Sequence, residues 1–133
     1  MKKIILCVIV SMMSFASVFA EDCTNFSGQW TGVCKSLDVP TANNPGTKRN
    51  LTITQNGCST IEMTDGIKKE EFPIGQYSED FAMRWNNDNT MLVFKAIDDF
   101  DLLVMGSLVL DGTSLVIDAY ETAATFSRCI FTK

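Results

Sequence analysis

The chain has 133 residues, of which 46% are apolar and 20% are charged, with a formal net charge of -5 and no histidine. Its isoelectric point near 4.6 argues against a nucleic-acid-binding protein, because phosphate contacts need clustered Lys and Arg. The lack of histidine excludes a Ser-His-Asp triad and a His-ligated metal site.

Residues 1–20 have the pattern of a secretory signal peptide. Lys2 and Lys3 precede an apolar stretch, and residues 18–20 end with a small residue at the cleavage position. We expect cleavage between Ala20 and Glu21. An uncleaved membrane anchor is the alternative, but the apolar stretch is short and is interrupted by serines.

Cleavage would leave a single domain, 21–133, for the periplasm or the extracellular space. The two lysines leave with the signal peptide, so the net charge changes from -5 to -7 over the remaining residues. No later window approaches the roughly 20 apolar residues of a transmembrane helix. We therefore expect no membrane partner after cleavage, and no nucleic-acid partner because of the acidic charge.

The mature chain shows short β-rich runs separated by turn signals, with hardly any helical periodicity. Asn56-Gly57, Asp65-Gly66 and Asp111-Gly112 are typical of tight hairpins, and 86–89 and 98–101 are further polar turns. The runs predict strands over 28–37, 48–56, 58–64, 67–75, 79–86, 90–97, 101–110, 114–121 and 124–132.

This pattern predicts an all-β fold, an antiparallel up-and-down barrel of eight or nine strands. A closed barrel removes the two exposed edges that such a meander would leave. A β-sandwich of two sheets is the alternative. The one long loop, 38–47, would lie over one end of the barrel.

The turn positions also predict strand registers. A two-residue loop at Asp111-Gly112 sets Leu108 opposite Leu115. A three-residue loop with a bulge at Asn56-Gly57 sets Ile53 opposite Ile61, whereas a two-residue loop would set it opposite Thr60.

Four cysteines remain after removal of the signal peptide, namely Cys23, Cys34, Cys58 and Cys129. An even number in a small exported chain predicts two disulfides, and the spacings lack the C-x2-C pairs of a zinc site. If the first two strands pair around the 38–47 loop, Cys58 lies near Cys23. Cys34 would then pair with Cys129 and join the first strand to the last.

The start of the first strand, Gly28-Gln29-Trp30, resembles the G-x-W motif that opens the calycins, the barrel superfamily of lipocalins, fatty-acid-binding proteins and avidins. The resemblance implies structural roles for Gly28, which turns the chain into the strand, and for Trp30, which plugs the closed end. It also implies that Arg128, on the last strand, packs across Trp30. Arg128 and Cys129 point to opposite faces, however, so the seam disulfide and an inward Arg128 conflict, and we favour the disulfide.

The resemblance further implies a non-catalytic protein that binds a small apolar ligand inside the barrel, without a cofactor. Phe81, Met83 and Trp85 are the candidate ligand-binding residues, since Met adapts to irregular shapes and aromatic rings offer flat surfaces. The alternative for these side chains is that they only fill the core. Biotin is not expected, because the mature chain has only Trp30 and Trp85 as tryptophans.

A protein-binding module is the alternative function. In a protease inhibitor of similar build, the segment 21–27 could act as an inserting arm. Catalysis is not expected, since Glu70-Glu71 and Asp98-Asp99 lie in or beside predicted turns, where charges are usually solvated. We interpret the Asp98, Asp99 and Asp101 cluster as such a turn rather than as a calcium site, because it lacks the Gly and terminal Glu of an EF-hand.

Overall fold

A computed structural model describes residues 22–38, 44–121 and 125–133. The predicted signal peptide and its cleavage site lie outside the described residues, as does the centre of the predicted 38–47 loop. Within those three described ranges, no helix is long and apolar enough to cross a membrane.

The described residues form nine strands, in agreement with the eight or nine that the turn signals predict. They are β1 (Gly28–Ser36), β2 (Thr47–Asn56), β3 (Thr60–Thr64), β4 (Lys69–Pro73), β5 (Phe81–Trp85), β6 (Met91–Ile97), β7 (Leu103–Asp111), β8 (Ser114–Glu121) and β9 (Thr125–Thr132). The predicted strand boundaries differ from these by no more than two residues at either end. Strand formation here follows from alternating apolar side chains between turn residues.

All nine strands belong to one antiparallel sheet in the order β4-β3-β2-β1-β9-β8-β7-β6-β5. Each strand pairs with its neighbour in sequence, except that β1 pairs with β9 and no ladder joins β4 to β5. The sheet therefore curls into a nearly closed up-and-down barrel, which confirms the predicted architecture over the sandwich.

The opening between β4 and β5 is bridged by residues 74–80. The backbone N–H of Gly75 donates to the carbonyl of Met83 at 2.8 Å, and Tyr77 forms an isolated bridge with Ala82. The rings of Phe72 on β4 and Phe81 on β5 lie 5.2 Å apart. Side chains and single hydrogen bonds thus take the place of a ladder across the opening.

Alternate side chains of each strand point into the barrel and form one core. One of its buried members precedes β1, and the others come from every strand except β4. They are Phe26, Trp30, Ile53, Ile61, Met83, Leu92, Leu108, Leu115 and Phe131.

The β7–β8 hairpin has the predicted loop length but a different register. Asp111 pairs with Ser114, so the loop residues are Gly112 and Thr113, and Leu108 lies opposite Ile117 rather than Leu115. Gly112 has φ of 60° at the first loop position, the place where a type II′ turn requires glycine. Because the shift is two residues, the same side chains still face inward.

The β2–β3 hairpin has the predicted three-residue loop, shifted by one position. Asn56 pairs with Thr60, so Ile53 lies opposite Met63 and not opposite Ile61. The loop consists of residues 57–59, and it includes the disulfide-bonded Cys58.

Both predicted disulfides form. Cys23 is bonded to Cys58, and Cys34 is bonded to Cys129 across the β1–β9 seam. Cys34 and Cys129 are directly opposite in the ladder, with Cα atoms 3.9 Å apart. The seam between the first and last strands is therefore covalently closed.

Candidate functional site

Three aromatic side chains close one end of the barrel. Trp30 is 3% exposed, and its indole Nε1 donates to the carbonyl of Phe26 at 2.9 Å. The ring of Phe26 stacks on that of Trp85, with centroids 5.8 Å apart. The Nε1 of Trp85 donates to the carbonyl of Cys58 at 2.9 Å. Both indole N–H groups donate to backbone carbonyls, which fixes the orientation of the two rings.

The cation over Trp30 is Lys133 and not Arg128. Lys133 Nζ lies 4.7 Å from the centroid of the Trp30 ring, whereas Arg128 points outward and donates to both carboxylate oxygens of Asp118, at 2.7 and 3.0 Å. The hydrogen bond and negative charge of Asp118 raise the pKa of Arg128. The resemblance places Arg128 across Trp30, and the structure does not. As the favoured seam disulfide requires, Cys129 occupies the inward face, and strand alternation turns Arg128 to solvent.

Gly28 lies where the chain enters β1. Its φ of 151° lies in a region that other residues rarely adopt, and a Cβ there would come within 2.6 Å of Lys133 Cε. A glycine is therefore needed where the chain enters β1 beside the Trp30–Lys133 contact.

The segment before β1 is fixed against the closed end. Phe26 is fully buried, Cys23 is tied to Cys58, and the N–H of Thr24 donates to the carbonyl of Asn89 at 2.9 Å. Residues 22–27 are thus built into the barrel floor and do not form a free arm of the kind an inserting inhibitor would need.

The interior also holds a cavity of about 230 Å³, between this floor and the opposite end. Its walls come from β3 to β8 and consist of Met63, Glu70, Phe72, Phe81, Met83, Phe94, Ala96, Leu108 and Ile117. Eight of these nine side chains are apolar. Two of the three candidate ligand-binding residues, Phe81 and Met83, line the cavity, whereas Trp85 belongs to the floor.

Phe94 is one of five cavity residues that were not predicted from the sequence, the others being Met63, Glu70, Phe72 and Ala96. It lies opposite Gly106 in the β6–β7 ladder, and a Cβ on Gly106 would come within 2.4 Å of the Phe94 ring. The ring therefore lies over the glycine and forms one wall. The signal was an apolar alternation in β6 facing a lone glycine in β7, a pattern typical of a close approach inside a barrel.

A smaller cavity of about 130 Å³ extends the first one toward the β3–β4 turn. The two share Met63, Glu70 and Phe72, and the smaller one is also bordered by Leu51, Asp65 and Lys68. Lys68 forms an ion pair with Glu70 there. We call this end, bordered by Asp65, Lys68 and Glu70, the mouth.

The charges at the mouth are interlinked. The hydrogen bond and charge of Glu70 raise the pKa of Lys68 above its usual 10.5, with smaller contributions from Asp99 and Asp65. The backbone N–H groups of Lys68 and Ile67 donate to Asp65 Oδ1 at 2.9 and 3.0 Å and lower the pKa of Asp65, with a smaller contribution from Arg49. Lys68 is therefore paired with Glu70, and its side chain is otherwise largely exposed.

The acidic cluster of 98–101 forms a turn, as interpreted from the sequence. Asp98 Oδ1 accepts hydrogen bonds from the backbone N–H groups of Phe100 and Leu102, at 2.9 and 2.8 Å. Asp101 has φ of 60°, a conformation that aspartate tolerates better than most residues. The cluster is thus explained by turn formation between β6 and β7.

No family model matches the chain, and no curated protein matches its sequence. Solved structures do share its fold. Human cRBP IV is 18% identical, with a TM-score of 0.55 over 83% of this chain and 98% of that one. A Schistosoma mansoni fatty acid binding protein in complex with arachidonic acid is 15% identical, with a TM-score of 0.57 over 81% of this chain and 95% of that one.

The wild-type fluorescent protein UnaG is similar to the same degree, at 14% identity and a TM-score of 0.57 over 81% of this chain and 96% of that one. At these identities the likeness establishes the fold alone. The chain therefore has the antiparallel barrel fold of these structures, which is the fold that the resemblance of its first strand implies.

Proposed function

We propose that the protein binds a small apolar molecule inside the barrel and has no catalytic role. The observation that carries this proposal is the 230 Å³ cavity with eight apolar walls out of nine. An apolar cavity of about 150 Å³ is large enough to stay dry and hold benzene, so this one has room for a somewhat larger molecule. Neighbours described as a fatty acid transporter and as a fatty acid binding protein support this use of the fold.

Phe81 and Met83 are the proposed ligand contacts on β5, and Phe94 and Ala96 face them from β6. Burial of apolar ligand surface against these side chains supplies the affinity, at about 25 cal/mol per Å² before the cost of immobilising the ligand. Trp30 and Trp85 have a structural role, because they hold the floor of the cavity in place.

Isothermal titration calorimetry with n-butylbenzene tests the proposal. We expect the wild-type protein to bind it with a negative heat-capacity change, since apolar surface is buried. Ala96→Phe, which fills the cavity, should abolish binding. The matched control is Ala82→Phe on the neighbouring strand, because Ala82 borders a groove on the outer wall and not the cavity. Equal loss of binding in both variants, or no binding by the wild type, would overturn the proposal.

We also infer that the protein is exported and acts outside the cytoplasm. Its two disulfides suit an oxidising compartment, and residues 1–20 have the pattern of a signal peptide. N-terminal sequencing of the protein from the cells that make it should begin at Glu21. A sequence beginning at Met1 would contradict cleavage.

A protein partner is the second candidate function. The observation in its favour is a groove of about 520 Å³ on the outer wall, bordered by Tyr77 and Met105 with Arg84 and Lys95 beside them. An acidic partner with an apolar side chain would complement that groove. A photo-crosslinking residue at position 105 should then capture one partner in the producing cells, and the same residue at Thr52, on the polar side of the barrel, should not. Equal capture from both positions would contradict this function.

A further inference from the structure

We propose that the ligand of the cavity carries an uncharged hydroxyl group and not a carboxylate, and that this group is bound at the mouth by Lys68 and Glu70. The inference rests on the proposed function, because it concerns which molecules the same cavity accepts. It follows from the charges that border the cavity.

The charged side chain in the cavity wall is a carboxylate. Among the described residues, Glu70 is the one charged side chain in the cavity wall. Its side chain is 43% exposed, and Phe72, which lies on the same face of β4, packs against the core. A ligand that lies along this wall therefore has its polar end beside a carboxylate.

Among the described residues, the one cation that borders the mouth is Lys68, and it is already paired with a carboxylate. Lys68 forms its ion pair with Glu70, and Asp99 and Asp65 are close enough to act on its charge as well. Arg49 lies on the same face of β2 as Leu51, and it is close enough to act on Asp65. An incoming carboxylate would meet at least as many negative groups as positive ones.

The neighbouring ion pair on β3 and β4 does not change this balance. Lys69 Nζ lies 2.9 Å from Glu62 Oε2, and both side chains are on the outer wall. Arg84 and Lys95 border the outer groove. These cations are separated from the cavity by the sheet.

A hydroxyl group fits this mouth better than a carboxylate does. A hydroxyl donates one hydrogen bond and accepts others, so it can donate to Glu70 and accept from the Lys68 ammonium group at the same time. A carboxylate only accepts, and it would be repelled by Glu70 while losing water from its charge. The Lys68–Glu70 ion pair therefore favours a ligand with a hydroxyl group over a ligand with a carboxylate.

Calorimetry with 1-octanol, octanoate and n-butylbenzene at pH 8 tests the inference. These probes are an alcohol, an acid of the same length, and a molecule without a polar end. We expect the wild type to bind octanol at least about tenfold more tightly than octanoate, the size of effect expected when one charge is left unpaired at a partly buried site.

Glu70→Gln removes the negative charge and frees Lys68, so octanoate should bind more tightly and the preference should fall to about threefold or less. The matched control is Glu62→Gln, which breaks an ion pair of the same type on the outer wall and should leave the preference unchanged.

The outcomes separate this inference from the proposed function. If butylbenzene binds and octanoate binds as tightly as octanol, the ligand class is wrong while the function stands. If the preference is unchanged in Glu70→Gln, the selection does not reside at the mouth, and the inference is overturned. If none of the three probes binds the wild type, the proposed function fails and the inference fails with it.

Discussion

Trp30 illustrates how single side chains fix the closed end of the barrel. Its ring is buried, its N–H is bonded to Phe26, and Lys133 covers the face that Gly28 leaves open. The burial of Trp30 could be predicted from its place at the start of an alternating strand. The identity of the cation could not, because Lys133 follows the last strand and only the inward disulfide excludes Arg128.

Truncation of the Trp30 side chain should lower the stability of the folded state. Trp30→Ala removes a large buried ring and leaves the Phe26 carbonyl without its donor, so we expect a loss of about 3 to 5 kcal/mol in the free energy of unfolding. Urea denaturation measures this loss. Arg128→Ala is the control and should leave the urea midpoint nearly unchanged, because its ion pair with Asp118 is on the surface. An unchanged midpoint for Trp30→Ala would remove the ring from the core.

The lowered pKa of Asp65 predicts that the stability of the folded state depends on pH. Its pKa is lowered from 3.8 in the fold, mainly by the N–H groups of Lys68 and Ile67, so its charge stabilises the folded state above 3.8. This contribution is lost as the pH falls through the lowered pKa. The side chain is exposed, so the effect is small. We expect Asp65→Asn to melt below the wild type at pH 7 and the difference to close at low pH. A difference that widens with acid would contradict the sign.

At the scale of elements, the seam between β1 and β9 joins the two ends of the chain. The Cys34–Cys129 bond closes a sequence separation of 95 residues, and Cys23–Cys58 closes one of 35. In the chain-entropy account, these loops correspond to about 4.7 and about 3.8 kcal/mol of destabilisation of the unfolded state.

Removal of the seam disulfide should therefore cost more than removal of the floor disulfide. The double variant Cys34→Ala with Cys129→Ala should lose about 1 kcal/mol more than Cys23→Ala with Cys58→Ala, as measured by urea denaturation. A greater loss from the floor pair would show that the anchoring of Phe26, and not loop closure, dominates.

The positions of the strands along the chain are well predicted by the sequence. Alternation and turn dipeptides place all nine strands, because each signal is local. Registers at Asp111-Gly112 and Asn56-Gly57 were less well predicted, since a dipeptide marks a turn without showing which residue ends the ladder. The missing β4–β5 ladder leaves no local signal, because it depends on how far the whole sheet can curl.

At the scale of the whole molecule, the position of the cavity depends on inward side chains from six strands, β3 to β8. Phe81 and Met83 could be placed on the inner face from their strand, but the space between them depends on neighbours brought in from β3, β4, β7 and β8. Trp85 has the same alternation and yet packs into the floor, because Phe26 stacks on it from a segment outside the sheet. Which inward residues line the cavity is therefore a property of the assembled barrel.

The most direct test of the account is methyl nuclear magnetic resonance of the protein titrated with benzene. Met63 and Met83 line the cavity, whereas Met105 is 43% exposed on the outer wall and serves as an internal control. A benzene ring bound in the cavity should shift the methyl resonances of Met63 and Met83 in a saturable manner and leave that of Met105 in place. Shifts confined to Met105, or no saturable shift at any of the three, would contradict a ligand-binding interior.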